Sequence, residues 1–405
     1  MHKITFFETL QVLMCGLLLF SSCELDNYGG PDAQLSGRII DSETGEPIQS
    51  DIVEGTTIKI IEHGYDPVTP QYLRVKTDGT YANTMLFANT YTIQPDQRNF
   101  SQIDVQEIEI GKDTQLDFMV TPYIRVKDVS IKQEGNNIIA EFKLQQLTTD
   151  AVKKIGLYAS GESIVGERVR SVAVERELNQ QVDENETFRI GLNLVRNSAF
   201  FESGRKYFFR IGAVSSFPGA LSNYAPASEI EIGKIDPNAE PSGKVLDAAE
   251  TTDGWGSAGP LSLASDSREG TYSLKTSLNA NAVPVFEKQF SSPFNTEVSM
   301  EHGVFSFWLY VSDVQMLNTN IPDWGSAIEI TSSGGPDNQE LSWNFSMLTL
   351  HNGWNKIDLK LSDAIIDNRG GDINLSAVNY FRMYHLFCGG AVDVMIDEIK
   401  FYEDY

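Results

Sequence analysis

The feature that most constrains the fold of this chain is an alternation of apolar and polar residues with a period of two. Beyond residue 30 the alternation recurs between turn signals, and no long amphipathic helical stretch interrupts it. Such alternation is typical of strands that bury one face. The sequence therefore predicts an all-β protein built of tandem β-sandwiches, with a short helical turn at 149–154 as a connector.

The first residues have the form of a signal peptide. A basic Lys3 precedes an apolar stretch at 12–20 that is too short to span a bilayer, and small residues lead to Cys23. Phe20-Ser21-Ser22-Cys23 resembles the lipobox of bacterial lipoproteins, which implies a signal peptide at 1–22, acylation of Cys23 and a lipidated tether at 23–30. The alternative is an ordinary cleaved signal peptide.

The residues that follow Cys23 indicate a location. Glu24-Leu25-Asp26-Asn27 resembles the export tag of surface lipoproteins in glycan-degrading Gram-negative bacteria. The resemblance implies that the protein is anchored by lipid to the outer membrane and faces the cell surface.

The net charge excludes several classes of binding partner, and the cysteine content excludes a disulfide bond within the mature chain. The formal net charge is −25, so the chain repels nucleic acid and anionic lipid headgroups, whereas neutral sugars remain compatible. The chain has three cysteines. With Cys15 cleaved away and Cys23 acylated, Cys388 has no disulfide partner, and it is predicted to be a buried thiol.

Two sandwich domains are predicted before a linker. Residues 31–121 run from strand to turn to strand, with Asp78-Gly79 as a turn, and resemble the transthyretin-like, carboxypeptidase-regulatory-like β-sandwich. Residues 122–233 end in a stretch at 203–214 that resembles the penultimate strand of fibronectin type III domains. Both domains together, through the motifs at 23–28 and 201–207, resemble uncharacterised surface lipoproteins encoded beside starch-utilisation-type glycan importers. That family implies a polysaccharide-utilisation locus and a neighbouring outer-membrane importer as a partner.

After a Pro- and Gly-bearing linker at 234–244 the composition changes, and all five tryptophans lie in residues 245–405. Alternating strands are predicted at 272–277, 303–311, 341–347, 353–361 and 392–402. The turn at 268–270, the aromatic strand around Trp308 and the terminal strand resemble galactose-binding-like β-jelly rolls, including many carbohydrate-binding modules. The resemblance implies the fold more firmly than the ligand.

Aromatic side chains beside polar groups are the candidate glycan site. Pyranose C–H faces stack on aromatic rings, and sugar hydroxyls need paired donors and acceptors. Each candidate has core packing or a surface ion pair as its alternative, whereas Trp343 and Trp354 are predicted to pack. Trp324 and Trp255 lie in polar loops, Trp308 and Tyr310 face away from the core side of their strand, and Arg382 and Tyr384 alternate with apolar residues.

The jelly-roll resemblance also implies a structural calcium ion between the Arg-Glu-Gly turn and the terminal strand, with Asp397 and Glu269 as the matching carboxylates; turn capping is the alternative. No other cofactor is predicted. The five histidines are scattered, and no zinc, paired-cysteine or phosphate-loop motif is present. We therefore predict no catalytic residue and no enzyme activity.

These observations favour a surface lipoprotein that binds a polysaccharide or oligosaccharide through its jelly roll in support of glycan capture and import. Two alternatives remain open: a structural or adhesive surface protein that binds a protein partner, and an accessory glycoside hydrolase subunit, since a pair of carboxylates suffices for glycoside hydrolysis.

Overall fold

A computed structural model of the chain describes residues 29–279, 285–318, 327–384, 387–388 and 390–405. Strands dominate these residues, so the predicted all-β class is confirmed. The helical elements in the described ranges are single 3-10 turns: Val314–Met316, Phe345–Met347 and Leu361–Asp363.

The chain forms two compact units whose sequence segments interleave. The first unit comprises residues up to Ile131, Ala140–Ile190 and Lys206–Ile230. The second unit comprises Lys132–Ile139, Gly191–Arg205 and Glu231–Tyr405. The domain boundaries derived from the sequence stay a prediction.

The first sandwich lies in the first unit and has two sheets. One sheet has the order β4-β1-β7 with β8 also paired to β1, and the other has the order β3-β2-β5-β6. Between them lies a core that includes Leu35, Tyr91 and Ile93, each with 0% exposure. The strands are β1 Ala33–Asp41, β2 Thr57–Glu62, β3 Gln71–Arg74, β4 Thr80–Leu86, β5 Asn89–Pro95, β6 Gln106–Ile110, β7 Thr114–Gln115 and β8 Phe118–Val120.

The second sandwich pairs its strands in the orders β13-β10-β9 and β12-β11-β14-β15, with β16 beside β14. The helical turn predicted at 149–154 is wrong. Val152 begins a strand, is fully buried and lies opposite both Gln180 and Ser215, so pairing on two sides overrides the local preference. The strands are β9 Ile124–Glu134, β10 Asn137–Gln146, β11 Val152–Ser160, β12 Val172–Gln180, β13 Thr187–Asn193, β14 Lys206–Ser215, β15 Asn223–Tyr224 and β16 Ser228–Glu231.

A buried arginine joins the two sandwiches within the first unit. Arg210 on β14 is 2% exposed. Its guanidinium donates to the carbonyl oxygens of Ala225, Ser50, Val165 and Thr77 and to the side-chain oxygen of Gln49, at 2.9–3.1 Å. Burial lowers the pKa of Arg210 to about 10. Because its acceptors come from both sandwiches, the guanidinium ties the two together.

The C-terminal domain, in the second unit, is a sandwich of two six-stranded sheets. The β30 sheet has the order β19-β20-β30-β22-β26 with β17 also paired to β30, and the β28 sheet has the order β18-β21-β28-β24-β25-β27. A short pair, β23-β29, lies apart. The strands are β17 Lys244–Asp247, β18 Trp255–Gly256, β19 Leu261–Ala264, β20 Ser273–Leu278, β21 Phe286–Phe294, β22 Gly303–Val311, β23 Leu317–Asn318, β24 Ala327–Thr331, β25 Glu340–Asn344, β26 Gly353–Lys360, β27 Ile365–Asp367, β28 Val378–Met383, β29 Phe387–Cys388 and β30 Val392–Glu403.

The core of this domain lies between the two sheets, as the alternation predicts. Phe305 on β22 is fully buried and packs against Trp343 and Phe381 of the β28 sheet, with ring centroids 5.9 and 5.8 Å apart. Trp343 is 1% exposed, and its indole N–H donates to the Lys360 carbonyl at 3.0 Å. The prediction that Trp343 belongs to the core is confirmed. Each sheet thus has an outer face on which the remaining candidates can be located.

Candidate functional site

The outer face of the β28 sheet brings charged and aromatic side chains together. Glu329 on β24 lies opposite Arg382 on β28, and Glu287 on β21 lies opposite Arg382 on its other side. Two residues before Arg382 on β28, Tyr380 lies opposite Gln289 of β21 on one side and opposite Thr331 of β24 on the other. This arrangement follows from antiparallel pairing, which places directly opposed residues on the same face of a sheet.

Arg382 and Glu329 form the central ion pair of this face. Both the Nε and an Nη atom of Arg382 lie 2.6 Å from Glu329 Oε2, and the two side chains are 15% and 4% exposed. Burial raises the pKa of Glu329 to about 7, although Arg382 opposes the shift. Nearby Glu340 and Asp337 add to it, because like charges disfavour ionisation.

Aromatic rings flank the ion pair. The guanidinium carbon of Arg382 lies 4.2 Å from the ring centroid of Tyr384, a cation–π contact. The Tyr380 hydroxyl donates to Glu287 at 3.0 Å, and burial raises the pKa of Tyr380. Tyr384 and Arg382 are half-buried. The structure thus places Arg382 and Tyr384 on one outer face, beside a set of acidic and phenolic groups that could pair with hydroxyls. We call the outer-facing side chains of Glu287, Gln289, Glu329, Tyr380, Arg382 and Tyr384 the polar–aromatic face.

The outer face of the opposite β30 sheet carries Trp308 and Tyr310, both half-buried. Their outward orientation is as predicted, but neighbouring groups from the same chain cover them. The guanidinium carbon of Arg268 lies 4.5 Å above the Trp308 ring. Tyr310 packs edge-on against Trp354, with ring centroids 5.6 Å apart.

Trp354 is itself held at this surface. Its indole N–H donates to the Asp266 carboxylate at 3.1 Å, and it is half-buried rather than part of the core cluster. Its neighbour Lys356 is ion-paired with Glu240 of the preceding linker. Loop and linker residues therefore occupy much of the surface that a ligand would need on this side.

The expectation that Trp255 lies in an exposed loop is wrong. It forms the two-residue strand β18, is 7% exposed and packs edge-on against Phe286 and Phe381 at centroid distances of 6.3 and 5.9 Å. Its ring also lies under the ammonium group of Lys288 at 5.2 Å. Because β18 pairs with β21, the segment that contains Trp255 is held against the sandwich. The Trp255 indole therefore belongs to the core.

Asp397 on β30 lies against the turn at 268–270, where the structural calcium ion was predicted. Its Oδ2 accepts from the backbone N–H groups of Arg268 at 2.6 Å and Glu269 at 3.0 Å, and its Oδ1 is buried without a partner. Burial raises the pKa of Asp397, and Glu250 adds to the shift. Among the described residues, no group of three or more His, Cys, Asp or Glu side chains is arranged to hold a metal ion.

The fit to calcium is therefore partial. Asp397 offers one unpartnered buried oxygen, whereas Glu269 is exposed and contributes its backbone N–H to Asp397. The carboxylate that sequence reasoning missed is Glu250, whose Oε1 accepts from the Thr271 N–H at 2.7 Å. The capping alternative thus accounts for the contacts seen, and ligation by Asp397 and Glu269 stays a prediction.

Two positions singled out from the sequence lie outside the described residues: Cys23, which is predicted to be acylated, and Trp324, which is predicted to lie in a polar loop. The side chain of Cys388 also falls outside the description. Within the ranges that are described, no helix is both long and apolar enough to cross a membrane.

Sequence reasoning missed Glu329, Glu287 and Tyr380. A signal for Tyr380 was present, since it belongs to the same alternation as Arg382 and Tyr384. In the local sequence Ala-Ile-Glu-Ile-Thr, Glu329 has the pattern of an ordinary solvent-facing strand residue. Only the strands on either side reveal that it is 3% exposed.

Comparison with known proteins identifies the first two domains. Residues 33–121 match the N-terminal domain of a family described as a protein of unknown function, DUF3823, and residues 124–229 match a domain of unknown function, DUF3823_C. No curated protein matches the chain.

Solved structures from Bacteroides and related bacteria are similar to half of the chain. A candidate carbohydrate-binding protein from Bacteroides uniformis is 32% identical over 50% of this chain and all of its own, with a TM-score of 0.47. A DUF3823 family protein from Parabacteroides merdae is 16% identical over the same shares, with a TM-score of 0.44. The family 11 carbohydrate-binding module of a cellulosomal cellulase from Clostridium thermocellum is 14% identical over 41% of this chain and 96% of its own, with a TM-score of 0.28.

Proposed function

The chain carries both domains of the DUF3823 family, and on that premise we propose that it is a non-catalytic surface lipoprotein that binds a polysaccharide through its C-terminal domain. The observation that carries the proposal is the polar–aromatic face. There, the half-buried Arg382 and Tyr384 lie beside Tyr380 of β28 and beside Glu287 and Glu329 of the two adjacent strands.

The chemistry of this face suits a sugar better than an apolar ligand. The half-buried Tyr384 provides an aromatic ring, and Arg382 and Glu287 provide a donor and an acceptor held in place by Glu329 and by the buried Tyr380. Groups that are already oriented lose little entropy when they bind a hydroxylated ring. The strongly negative chain favours a neutral sugar over a uronic acid, because a carboxylated ligand meets a repulsive field.

The lipid anchor and the link to glycan import rest on sequence. The lipobox-like motif before Cys23 and the acidic stretch after it support a place on the outer membrane. The resemblance to lipoproteins encoded beside glycan importers supports delivery of the bound polysaccharide to such an importer.

Affinity electrophoresis tests the binding proposal. The full chain with Cys23→Ser, which stays unacylated, is run through gels containing each of a panel of neutral polysaccharides. Retardation by at least one of them is expected. Tyr384→Ala should abolish it, and Trp324→Ala should weaken it.

The matched control is Tyr310→Ala, because Tyr310 is an equally half-buried tyrosine on the outer face of the opposite sheet. That variant should be retarded like the parent. If Tyr310→Ala alone abolished retardation, the site would belong to the β30 sheet. If no polysaccharide retarded the chain, the binding proposal would be overturned in favour of an adhesive or structural protein. Release of reducing sugar would overturn its non-catalytic part.

A further inference from the structure

One end of the first sandwich lies where the chain enters the domain. β1 begins at Ala33, which lies opposite Leu86 at the end of β4. The backbone N–H of Ala88 donates to the Asp32 carboxylate at 3.2 Å. The turn after β4 is therefore adjacent to the residues that connect the domain to Cys23.

The turn between β2 and β3 lies at the same end. The backbone N–H of His63 donates to the Thr90 carbonyl at 3.0 Å, and the side-chain amide of Asn89 donates to the His63 carbonyl at 2.9 Å. Residues 29–32, 63–70 and 85–88 together form what we call the entry end.

Large apolar side chains are exposed at the entry end. Met85 is 72% exposed, Tyr65 58%, Val68 54% and Phe87 43%. In the core of the same domain, by contrast, Leu35 and Tyr91 are fully buried. Each exposed side chain would gain roughly 25 cal/mol for every Å² of apolar surface removed from water. Four such side chains, one at the end of β4 and three on the two neighbouring turns, indicate that this end contacts something apolar.

The position of the predicted anchor identifies the contact. Six residue steps separate Cys23 from Gly29, and an extended chain spans at most about 3.5 Å per residue, so the tether reaches about 20 Å. Two acyl chains on Cys23 would keep that residue at the bilayer surface. A partner so closely tethered is presented at high effective concentration, and even a weak apolar contact then becomes occupied.

We infer that the entry end docks on the membrane interface, with Met85, Phe87 and Tyr65 placed among the headgroups of the leaflet that holds acylated Cys23. The inference rests on the lipid anchor of the proposed function. Tyrosine suits this depth, because its ring is apolar and its hydroxyl stays hydrated. Exposed Asp32 and Asp66 at the same end favour zwitterionic over anionic headgroups.

A fluorophore placed at this end reports the contact. The acylated full chain carrying Cys388→Ala and Met85→Cys is labelled at position 85 with an environment-sensitive dye and reconstituted into phosphatidylcholine vesicles. Compared with position 85 labelled in the unacylated Cys15→Ser/Cys23→Ser/Cys388→Ala chain in detergent-free buffer, the emission should shift to the blue. Vesicles that contain lipids with a shallow spin label should quench it.

Met119→Cys is the matched control. Met119 is a methionine of the same domain with 53% exposure, and it lies opposite Ile40, seven residues along β1 from Ala33. At 3.3 Å per residue this places it about 23 Å from the entry end. A dye at position 119 should show neither the shift nor the quenching.

The outcomes separate the claims. If mass spectrometry confirms two acyl chains on Cys23 but positions 85 and 119 behave alike, docking is overturned and the anchor stands. If Cys23 carries no fatty acid, the anchor and the docking are both overturned. Polysaccharide binding is measured on the unacylated chain, so it stands or fails independently of either result.

Discussion

The ion pair on the polar–aromatic face makes a quantitative prediction: Arg382→Met should destabilise the C-terminal domain in a pH-dependent way. Arg382 is the ion-pair partner of Glu329, whose side chain is 4% exposed. Removing one partner of a buried pair leaves an uncompensated charge, and this typically costs about 3–5 kcal/mol. Methionine keeps much of the apolar stem of the arginine, so the charge is the main change.

The pH dependence follows from the pKa of Glu329, which burial raises to about 7 from an ordinary value of 4.5. Between those two values the folded state binds more protons than the unfolded state. The free energy of unfolding contributed by this group is therefore fully present below pH 4.5 and is lost as the pH rises through 7. Without Arg382 the pKa rises further. The penalty in Arg382→Met should then be near its full size at about pH 8 and smaller by up to about 1.4 kcal/mol at about pH 5.5, where Glu329 is protonated in both chains; the pKa of about 7 in the parent sets this upper bound.

Urea unfolding followed by tryptophan fluorescence is the assay. All five tryptophans lie within residues 245–405, so the signal in the full chain reports the C-terminal domain. Glu329→Gln is the control that removes the titrating group, and the Arg382→Met/Glu329→Gln double variant should recover most of the loss at about pH 8. A penalty below about 1 kcal/mol at that pH, or one that is equal at both pH values, would refute the account of the buried pair.

Three further variants test other parts of the structure. Arg210→Lys should lower the free energy of unfolding of the first unit by about 3 kcal/mol in calorimetry, because three ammonium donors cannot reach acceptors arranged for a guanidinium. Gly37→Ala should cost at least about 3 kcal/mol, because its Cβ would lie 1.8 Å from the Leu116 carbonyl oxygen, whereas Gly111→Ala, with nothing within 4 Å, should change stability by less than about 0.5 kcal/mol. Asp397→Ala should cost about 2–3 kcal/mol, since two backbone N–H groups lose their acceptor. If Asp397 also holds calcium, added calcium should raise the unfolding midpoint of the parent chain but not that of Asp397→Asn. Equal midpoints of the parent with and without calcium would contradict the predicted calcium site.

Several local features were predictable from the sequence. Alternation correctly predicted that Phe305 and Phe307 face the core and that Trp308 faces outward, because side chains alternate sides along any strand. Trp343 was assigned to the core on the same basis. The Asp78-Gly79 turn was also predictable, since Gly79 has a φ of +82°, a conformation that glycine adopts without steric cost.

The candidate site was predictable only in part. Arg382 and Tyr384 were candidates because they alternate with apolar residues along one stretch of chain, but Glu329 and Glu287 come from strands far away in sequence and meet Arg382 only through the order of the β28 sheet. Trp255 was misplaced for the same reason, since its short strand is held inward by pairing with β21.

The sequence by itself determined the β class of this protein, the alternating faces of its main strands and the tryptophan-bearing segment. These are local properties, because the period of a strand and the conformation of a turn depend on neighbouring residues. Only the tertiary structure decided which outer face keeps its polar and aromatic groups together and which is covered by Arg268, Asp266 and Glu240. Burial on an outer face depends on the strands beside it and the loops above it, and those contacts join residues that are distant along the chain.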